Sequence, residues 1–204
     1  SVTEIGYGAF LGCKALRSVA IPKSVAKIGA SAFEDCAALA DVALPESITE
    51  IEQWTFSGCE ALKNVVIPES VTAVEDGAFD GCKALKDIEI PASVTEIGPW
   101  AFRGCKALRS IALPKSVTRI AERAFSGCGS LADVEIPESV TEIGYCAFYN
   151  GTALAGAALP ESLTEIQWNV FEGCVSLENI AVSRSARWGY GSFKDCPKVT
   201  ITRR

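Results

Sequence analysis

A 23-residue repeat runs through this sequence and constrains its fold more than any other feature. One unit reads L-x-x-Φ-x-Φ-P-x-S-Φ-T-x-Φ-G-x-x-A-F-x-G-C-x-x, where Φ is an aliphatic residue. Eight units begin at leucines spaced 23 residues apart, Leu16, Leu39, Leu62, Leu85, Leu108, Leu131, Leu154 and Leu177. One unit alone cannot bury its leucine, isoleucine and phenylalanine, whereas stacked units can. The repeat therefore predicts a solenoid with one core layer per coil.

Each unit carries the signals of two short extended pieces and a tight turn. In Leu16–Ile21 alternate residues are apolar, which is typical of a strand, and Pro22 ends it because proline donates no ladder hydrogen bond. Val94–Ile97 illustrates the second extended piece. Two residues after each phenylalanine stands Gly, Asn or Asp, the residues that tolerate positive φ, and we predict positive φ at Gly12, Asp35, Gly58, Gly81, Gly104, Gly127, Asn150, Gly173 and Asp195.

The repeat covers the whole sequence, so we expect no linker and no second domain within it. We divide the single domain, 1–204, into a partial first coil (1–15), eight coils (16–198) and a C-terminal capping strand (199–204). Parallel strands would space the coils by ~5 Å and give a rod or shallow arc of roughly 40–45 Å. The first coil is incomplete, so we expect it to expose apolar side chains that permit assembly through this end.

Eight of the nine cysteines follow the repeat, and Gly151 takes one slot of the series. We interpret them as reduced, inward-packed residues with a structural role, Cys13, Cys36, Cys59, Cys82, Cys105, Cys128, Cys174 and Cys196. Disulfides between adjacent coils remain an alternative, since ~5 Å suits a disulfide. No CxxC pair or histidine supports a metal site. Cys146 lies outside the series, and if any thiol is exposed and reactive, we expect it to be this one.

The composition excludes several function classes. The chain has no histidine, so Ser-His-Asp and Cys-His catalysis and imidazole ligands are absent. A formal net charge of −6 disfavours a nucleic-acid partner, and no apolar run approaches the ~20 residues that span a bilayer. The acidic columns and the repeated serines are equivalent from coil to coil, so none is distinguished as catalytic. We predict no enzyme activity, no catalytic residue and no cofactor.

Positions that differ between copies are those that the scaffold does not dictate. Two follow the I-G pair and a third follows the phenylalanine, and aromatic residues concentrate there. The candidate ligand-binding residues are Tyr7, Trp54, Trp100, Arg123, Tyr145, Tyr149, Trp168 and Tyr190. The alternative is that each aromatic merely covers the next coil. The strand surface is small and polar, and its column from Ser18 to Asn179 is a candidate hydrogen-bonded ladder.

The unit resembles that of the BspA-like, or Treponema-pallidum-type, leucine-rich repeats, and nine phenylalanines from Phe10 to Phe193 stay in register with it. The resemblance implies an α/β-type, right-handed leucine-rich-repeat solenoid. Parallel strands would form one face, with a short strand and tight or short-helical turns on the other. It also implies an extracellular or cell-surface location and a role in adhesion, with a protein or glycan as partner.

We therefore expect a non-enzymatic binding module. One alternative is a scaffold or spacer in a larger assembly, docked through the open N-terminal coil. Another is an engineered repeat protein, given how closely the copies agree.

Overall fold

In a computed structural model that describes residues 1–204, the chain forms a parallel β-solenoid with no helix. Sixteen short strands follow one another along the coils. In chain order they are β1 (Glu4–Ile5), β2 (Ser18–Val19), β3 (Lys27–Ile28), β4 (Asp41–Val42), β5 (Glu50–Ile51), β6 (Ala73–Val74), β7 (Glu96–Ile97), β8 (Ser110–Ala112), β9 (Arg119–Ile120), β10 (Asp133–Glu135), β11 (Glu142–Ile143), β12 (Gly156–Ala158), β13 (Glu165–Ile166), β14 (Asn179–Val182), β15 (Arg187–Trp188) and β16 (Thr200–Arg203).

The strands stack in two parallel ladders, one for each extended piece of the repeat. The first contains β2, β4, β8, β10, β12, β14 and β16, and single bridges at Asn64 and Asp87 carry it through the coils between β4 and β8. The second contains β1, β3, β5, β6, β7, β9, β11, β13 and β15, in three hydrogen-bonded groups: β1 with β3, β5 to β7, and β9 to β15. Pairing keeps a register of 23 residues, as in Val134 with Ala157, so equivalent side chains lie above one another.

The turn segments form a third set of bonds between coils. Alternate amides donate to the next coil, as Gly8 does to Ala30, Phe10 to Ala32 and Gly12 to Glu34. The amides between them close four-residue turns within their own coil, as Leu11 does with Gly8. The nine positions predicted to have positive φ all have it, between 55° and 76°. This prediction is confirmed.

The core is a stack of equivalent layers. A cluster of 55 buried residues runs along the solenoid, and its largest members are the repeated phenylalanines. Their rings stack from Phe10 to Phe193 with centroids 5.1 to 5.6 Å apart and planes within 12° of parallel. Every coil therefore repeats the same packing at the spacing that parallel strands impose.

The α/β classification expected from the family is wrong for this chain. The segment opposite the first ladder consists of turns, because residues at positive φ interrupt it twice in each coil and leave no helical run. The architecture is therefore an all-β solenoid. The right-handed winding and the shallow arc stay predictions.

Candidate binding surface

The stacked turn segments form one continuous edge of the solenoid, which we call the turn edge. It consists of residues 7–12, 30–35, 53–58, 76–81, 99–104, 122–127, 145–150, 168–173 and 190–195. All eight candidate residues lie on it. The inter-coil amide bonds fix its backbone, so side chains at equivalent positions form columns along the rod.

A second column of positive φ runs along the turn edge, and the sequence analysis missed it. It lies four residues before the predicted column and contains Gly8, Ser31, Trp54, Gly77, Trp100, Arg123, Cys146, Asn169 and Gly191. Glycine adopts this conformation freely, whereas a residue with a Cβ pays about 1–2 kcal/mol. Trp54 and Trp100 hold it at φ 57°, and Arg123 at 51°. Tryptophan and arginine therefore occupy positions where the backbone conformation favours glycine.

Trp54 and Trp100 lie two coils apart, yet their indole rings meet above the coil between them. Their ring centroids are 6.0 Å apart with planes 24° from parallel. The intervening residue is Gly77, where an added Cβ would lie 2.2 Å from the Cε3 atom of Trp54. Both tryptophans are half-buried. They form a packed apolar pair, so covering a neighbouring coil is part of their role.

Tyr7, Trp168 and Tyr190 are the most exposed of the candidates. Their exposed fractions are 78%, 61% and 81%. Trp168 leans across Gly189 of the next coil, where an added Cβ would approach its Cδ1 atom to 2.0 Å. These three side chains offer aromatic area to a partner.

Arg123, Tyr145 and Tyr149 come together around a depression of about 500 Å³ in the turn edge. The other residues that line this turn-edge depression are Arg103, Ser126, Cys146, Asn169 and Glu172. Ser126 and Cys146, both buried, form its floor. The Arg123 guanidinium lies over the Tyr145 ring, with Cζ 5.2 Å from the ring centroid. Such cation–π contact fixes the guanidinium on the rim.

Ion pairs neutralise two of the three cations around the depression. Arg103 binds Asp80 in a bidentate manner, with Nε 2.8 Å from Oδ1 and Nη2 2.5 Å from Oδ2, and this bond raises the pKa of Arg103. Lys194 Nζ lies 2.6 Å from Glu172 Oε1. The third cation, Arg123, has only the Glu122 carboxylate at 3.9 Å.

The cysteines of the repeat are free thiols, and all except Cys13 are buried. Each buried one donates from Sγ to the carbonyl of the phenylalanine in the preceding coil, at 3.0 to 3.3 Å, and the donors are Cys36, Cys59, Cys82, Cys105, Cys128, Cys174 and Cys196. No group of residues has the geometry of a metal site. Cys146 is 4% exposed, so the expectation of an exposed thiol there is wrong. Cys13 is the exposed thiol.

The strand surface lacks the predicted side-chain ladder. No side-chain hydrogen bond joins Asp41, Asn64, Asp87 or their equivalents, because β-pairing holds the strands through their backbones and these side chains point to solvent. Its one large exposed apolar residue is Val66. This surface offers a partner fewer anchors than the turn edge does.

Five residues of the depression were not among the candidates: Arg103, Ser126, Cys146, Asn169 and Glu172. The available signal was size, because Ser126 and Cys146 are small residues at variable positions where other coils carry Arg103, Tyr149 or Trp100. A recess forms where two such small side chains lie in adjacent coils.

Comparison with known proteins places this architecture in a family. The BspA-type leucine-rich repeat region matches residues 1–99 and 72–200, in six copies. No protein with a curated function matches the sequence.

Solved structures of similar proteins agree. A leucine-rich repeat protein from Bacteroides ovatus is 31% identical, with a TM-score of 0.89 over 99% of this chain and 59% of that protein. A leucine-rich cell surface protein from Faecalibacterium prausnitzii is 30% identical, with a TM-score of 0.57 over 99% of this chain and 69% of that protein. The T. pallidum leucine-rich repeat protein is also 30% identical, with a TM-score of 0.61 over 90% of this chain and 78% of that protein.

The chain thus spans about three fifths of the length of the Bacteroides ovatus protein. None of its structural elements is a helix that could cross a bilayer. The repeat, the in-register phenylalanine stack, the family match and the three related structures agree, and the chain belongs to the BspA-type leucine-rich repeat family.

Proposed function

We propose that the chain is a non-enzymatic binding domain, residues 1–204, that recognises a partner protein through its turn edge. The observation that carries the proposal is the strained column. Trp54, Trp100 and Arg123 occupy positive φ where Gly8, Gly77 and Gly191 fill equivalent places. Stability alone favours glycine at such positions, and strained residues cluster at functional sites.

The chemistry of the turn edge suits a protein better than a glycan. Tryptophan, tyrosine and arginine are the residues enriched in protein–protein interfaces and their hot spots. One face of the Tyr145 ring is covered by Arg123, and Trp54 and Trp100 cover each other. Tyr145, Trp54 and Trp100 therefore present edges and limited faces, whereas sugar stacking needs an open, flat face.

We further propose an extracellular location, with a role in adhesion. One relative in the comparison is a leucine-rich cell surface protein. Burial of eight of the nine thiols protects them from an oxidising exterior. The relative supports the location, and the burial of the thiols is compatible with it.

Binding to arrays of extracellular proteins and of glycans tests the proposal. The turn-edge variant carries Trp168→Ala and Tyr190→Ala, two exposed positions, and the control variant carries Val66→Ala and Lys86→Ala on the strand surface. We expect protein signals that the control retains and the turn-edge variant loses. Loss in the strand-surface variant alone contradicts the proposal, and signals confined to the glycan array make the partner a glycan.

A further inference from the structure

We infer that the turn-edge depression binds an acidic side chain of the partner protein, with Arg123 as the residue that receives its carboxylate. The inference rests on the proposed function and adds to it the chemistry of one subsite. Two features of the depression support it: its floor and the position of the Arg123 guanidinium on its rim.

The floor is made by small side chains at positions that are filled in other coils. Ser126 lies in the column that holds Leu11, Arg103 and Tyr149, and Cys146 lies in the column that holds Trp54 and Trp100. Both small residues are buried. The resulting recess has a volume of about 500 Å³.

Arg123 is the cation at the depression whose guanidinium is not hydrogen-bonded to a carboxylate. Its guanidinium makes no hydrogen bond to a carboxylate or a carbonyl: its polar neighbours are the side chains of Tyr145 and Cys146, and the Glu122 carboxylate at 3.9 Å is beyond hydrogen-bond distance. The nearby Arg103 is already committed to Asp80 through two bonds. The Tyr145 ring holds the Arg123 guanidinium in place, so its fork is oriented before a carboxylate arrives.

The two ends of the depression have different polarity. Arg103 and Arg123 lie at the N-terminal end, and Asn169 and Glu172 lie at the C-terminal end. Only the arginine end can receive a carboxylate, because the Asn169 Oδ1 atom is buried against Gly191 and the Glu172 carboxylate is bound to Lys194. The surrounding charges are balanced, with Asp80, Glu122 and Glu172 against Arg103, Arg123 and Lys194. Recognition therefore depends on geometry more than on net attraction.

Titration of the full chain with two short capped peptides, observed by NMR, tests the inference. The peptides read Gly-Ser-Glu-Gly-Ser and Gly-Ser-Gln-Gly-Ser. We expect the glutamate peptide to shift the side-chain signals of Arg123 and the amides of Tyr145 and Cys146. We expect the glutamine peptide to bind at least about tenfold more weakly, because charge-assisted hydrogen bonds are lost.

Three variants test whether binding of the glutamate peptide requires the depression or only a positive charge anywhere on the surface. Arg123→Gln removes the donors, and Ser126→Leu fills the floor with a residue that the Leu11 coil already accommodates. Each should weaken the glutamate peptide at least about tenfold. Arg109→Gln makes the same charge change on the exposed strand surface and should leave affinity unchanged. Thermal melts check that each variant is folded.

Equal binding of the two peptides overturns the inference, as does an equal loss in Arg109→Gln. Binding of a glucuronate oligomer, but not of the peptide, in a manner that needs Arg123 assigns the carboxylate to a glycan and also overturns it. If binding on the arrays still depends on Trp168 and Tyr190 but the peptides do not bind the depression, the inference about this subsite is wrong and the proposed function stands. If the strand surface alone carries partner binding, both fail.

Discussion

Gly77 shows how single residues determine what the turn edge can display. Its positive φ and missing side chain let the Trp54 indole lie across it and meet Trp100. Gly173 does the same for Asn150, whose Oδ1 atom would lie 2.2 Å from an added Cβ. At these two positions, the side chain that leans onto the next coil lies across a glycine.

We predict that Gly77→Ala destabilises the chain by about 1–2 kcal/mol from backbone strain, plus a clash with Trp54. In a Trp54→Ala background the clash disappears and the strain remains. A double-mutant cycle by chemical denaturation should therefore show a coupling energy of about 1 kcal/mol or more. Additive effects would mean that the ring does not rest on Gly77.

The thiols make stability depend on pH in the alkaline range. Burial raises the pKa of Cys59, Cys128 and Cys174 from 9.0 to about 12. Because the folded value lies above the unfolded one, their contribution to stability is complete below pH 9 and is lost between pH 9 and about 12. We predict that the melting temperature falls across this window, and that replacing all three with alanine makes the fall shallower. An unchanged slope in this variant contradicts the prediction.

Residue identity was sufficient to predict the column of positive φ from Gly12 to Asp195, but not the column from Gly8 to Gly191. Gly, Asn and Asp carry a recognisable preference, so the column from Gly12 to Asp195 follows from the sequence. Tryptophan, arginine and cysteine carry none, so Trp54, Arg123 and Cys146 gave no sign of their backbone conformation. The same gap explains Cys146, whose variable position suggested exposure although its side chain forms a buried floor.

At the scale of the coil, hydrogen bonds from side chains supplement the backbone ladders. The serine of the S-Φ-T motif donates to the carbonyl 22 residues earlier, as Ser93 does to Val71 at 2.6 Å. Equivalent bonds are made by Ser24, Ser47, Ser70, Ser116, Ser139 and Ser162. The repeated serine therefore has a structural role in these seven coils.

We predict that Ser93→Ala costs about 1 kcal/mol, because the Val71 carbonyl loses its donor. Ser185 occupies the same place in the last coil but bonds to the Ser183 hydroxyl instead. Ser185→Ala is the matched control and should have a smaller effect on the free energy of unfolding. Equal losses in the two variants would show that the inter-coil bond contributes nothing measurable.

Within the coil, one expectation rested on the family resemblance and not on the residues themselves. Alternating apolar residues and Pro22 were sufficient to predict the first extended piece. A helical turn was an expectation from the family alone, and two positive-φ residues in each turn, such as Trp100 and Gly104, exclude it.

At the scale of the whole molecule, identical layers create a long surface with two distinct sides. The repeat predicted the side on which aromatic residues gather, because equivalent positions align along the rod. It did not predict the depression, which depends on Ser126 and Cys146 lying in adjacent coils among larger neighbours. Such a recess is a property of several coils together, so no single unit reveals it.

Hydroxyl-radical footprinting of the chain with the partner selected on the arrays tests the central claim most directly. Oxidation of tyrosine and tryptophan side chains reports their exposure, and Tyr145, Tyr149 and Trp168 all lie on the turn edge. We predict that the partner lowers oxidation of these three residues and leaves Val66 on the strand surface unchanged. Protection of Val66 with unchanged oxidation of the three aromatics would contradict the account.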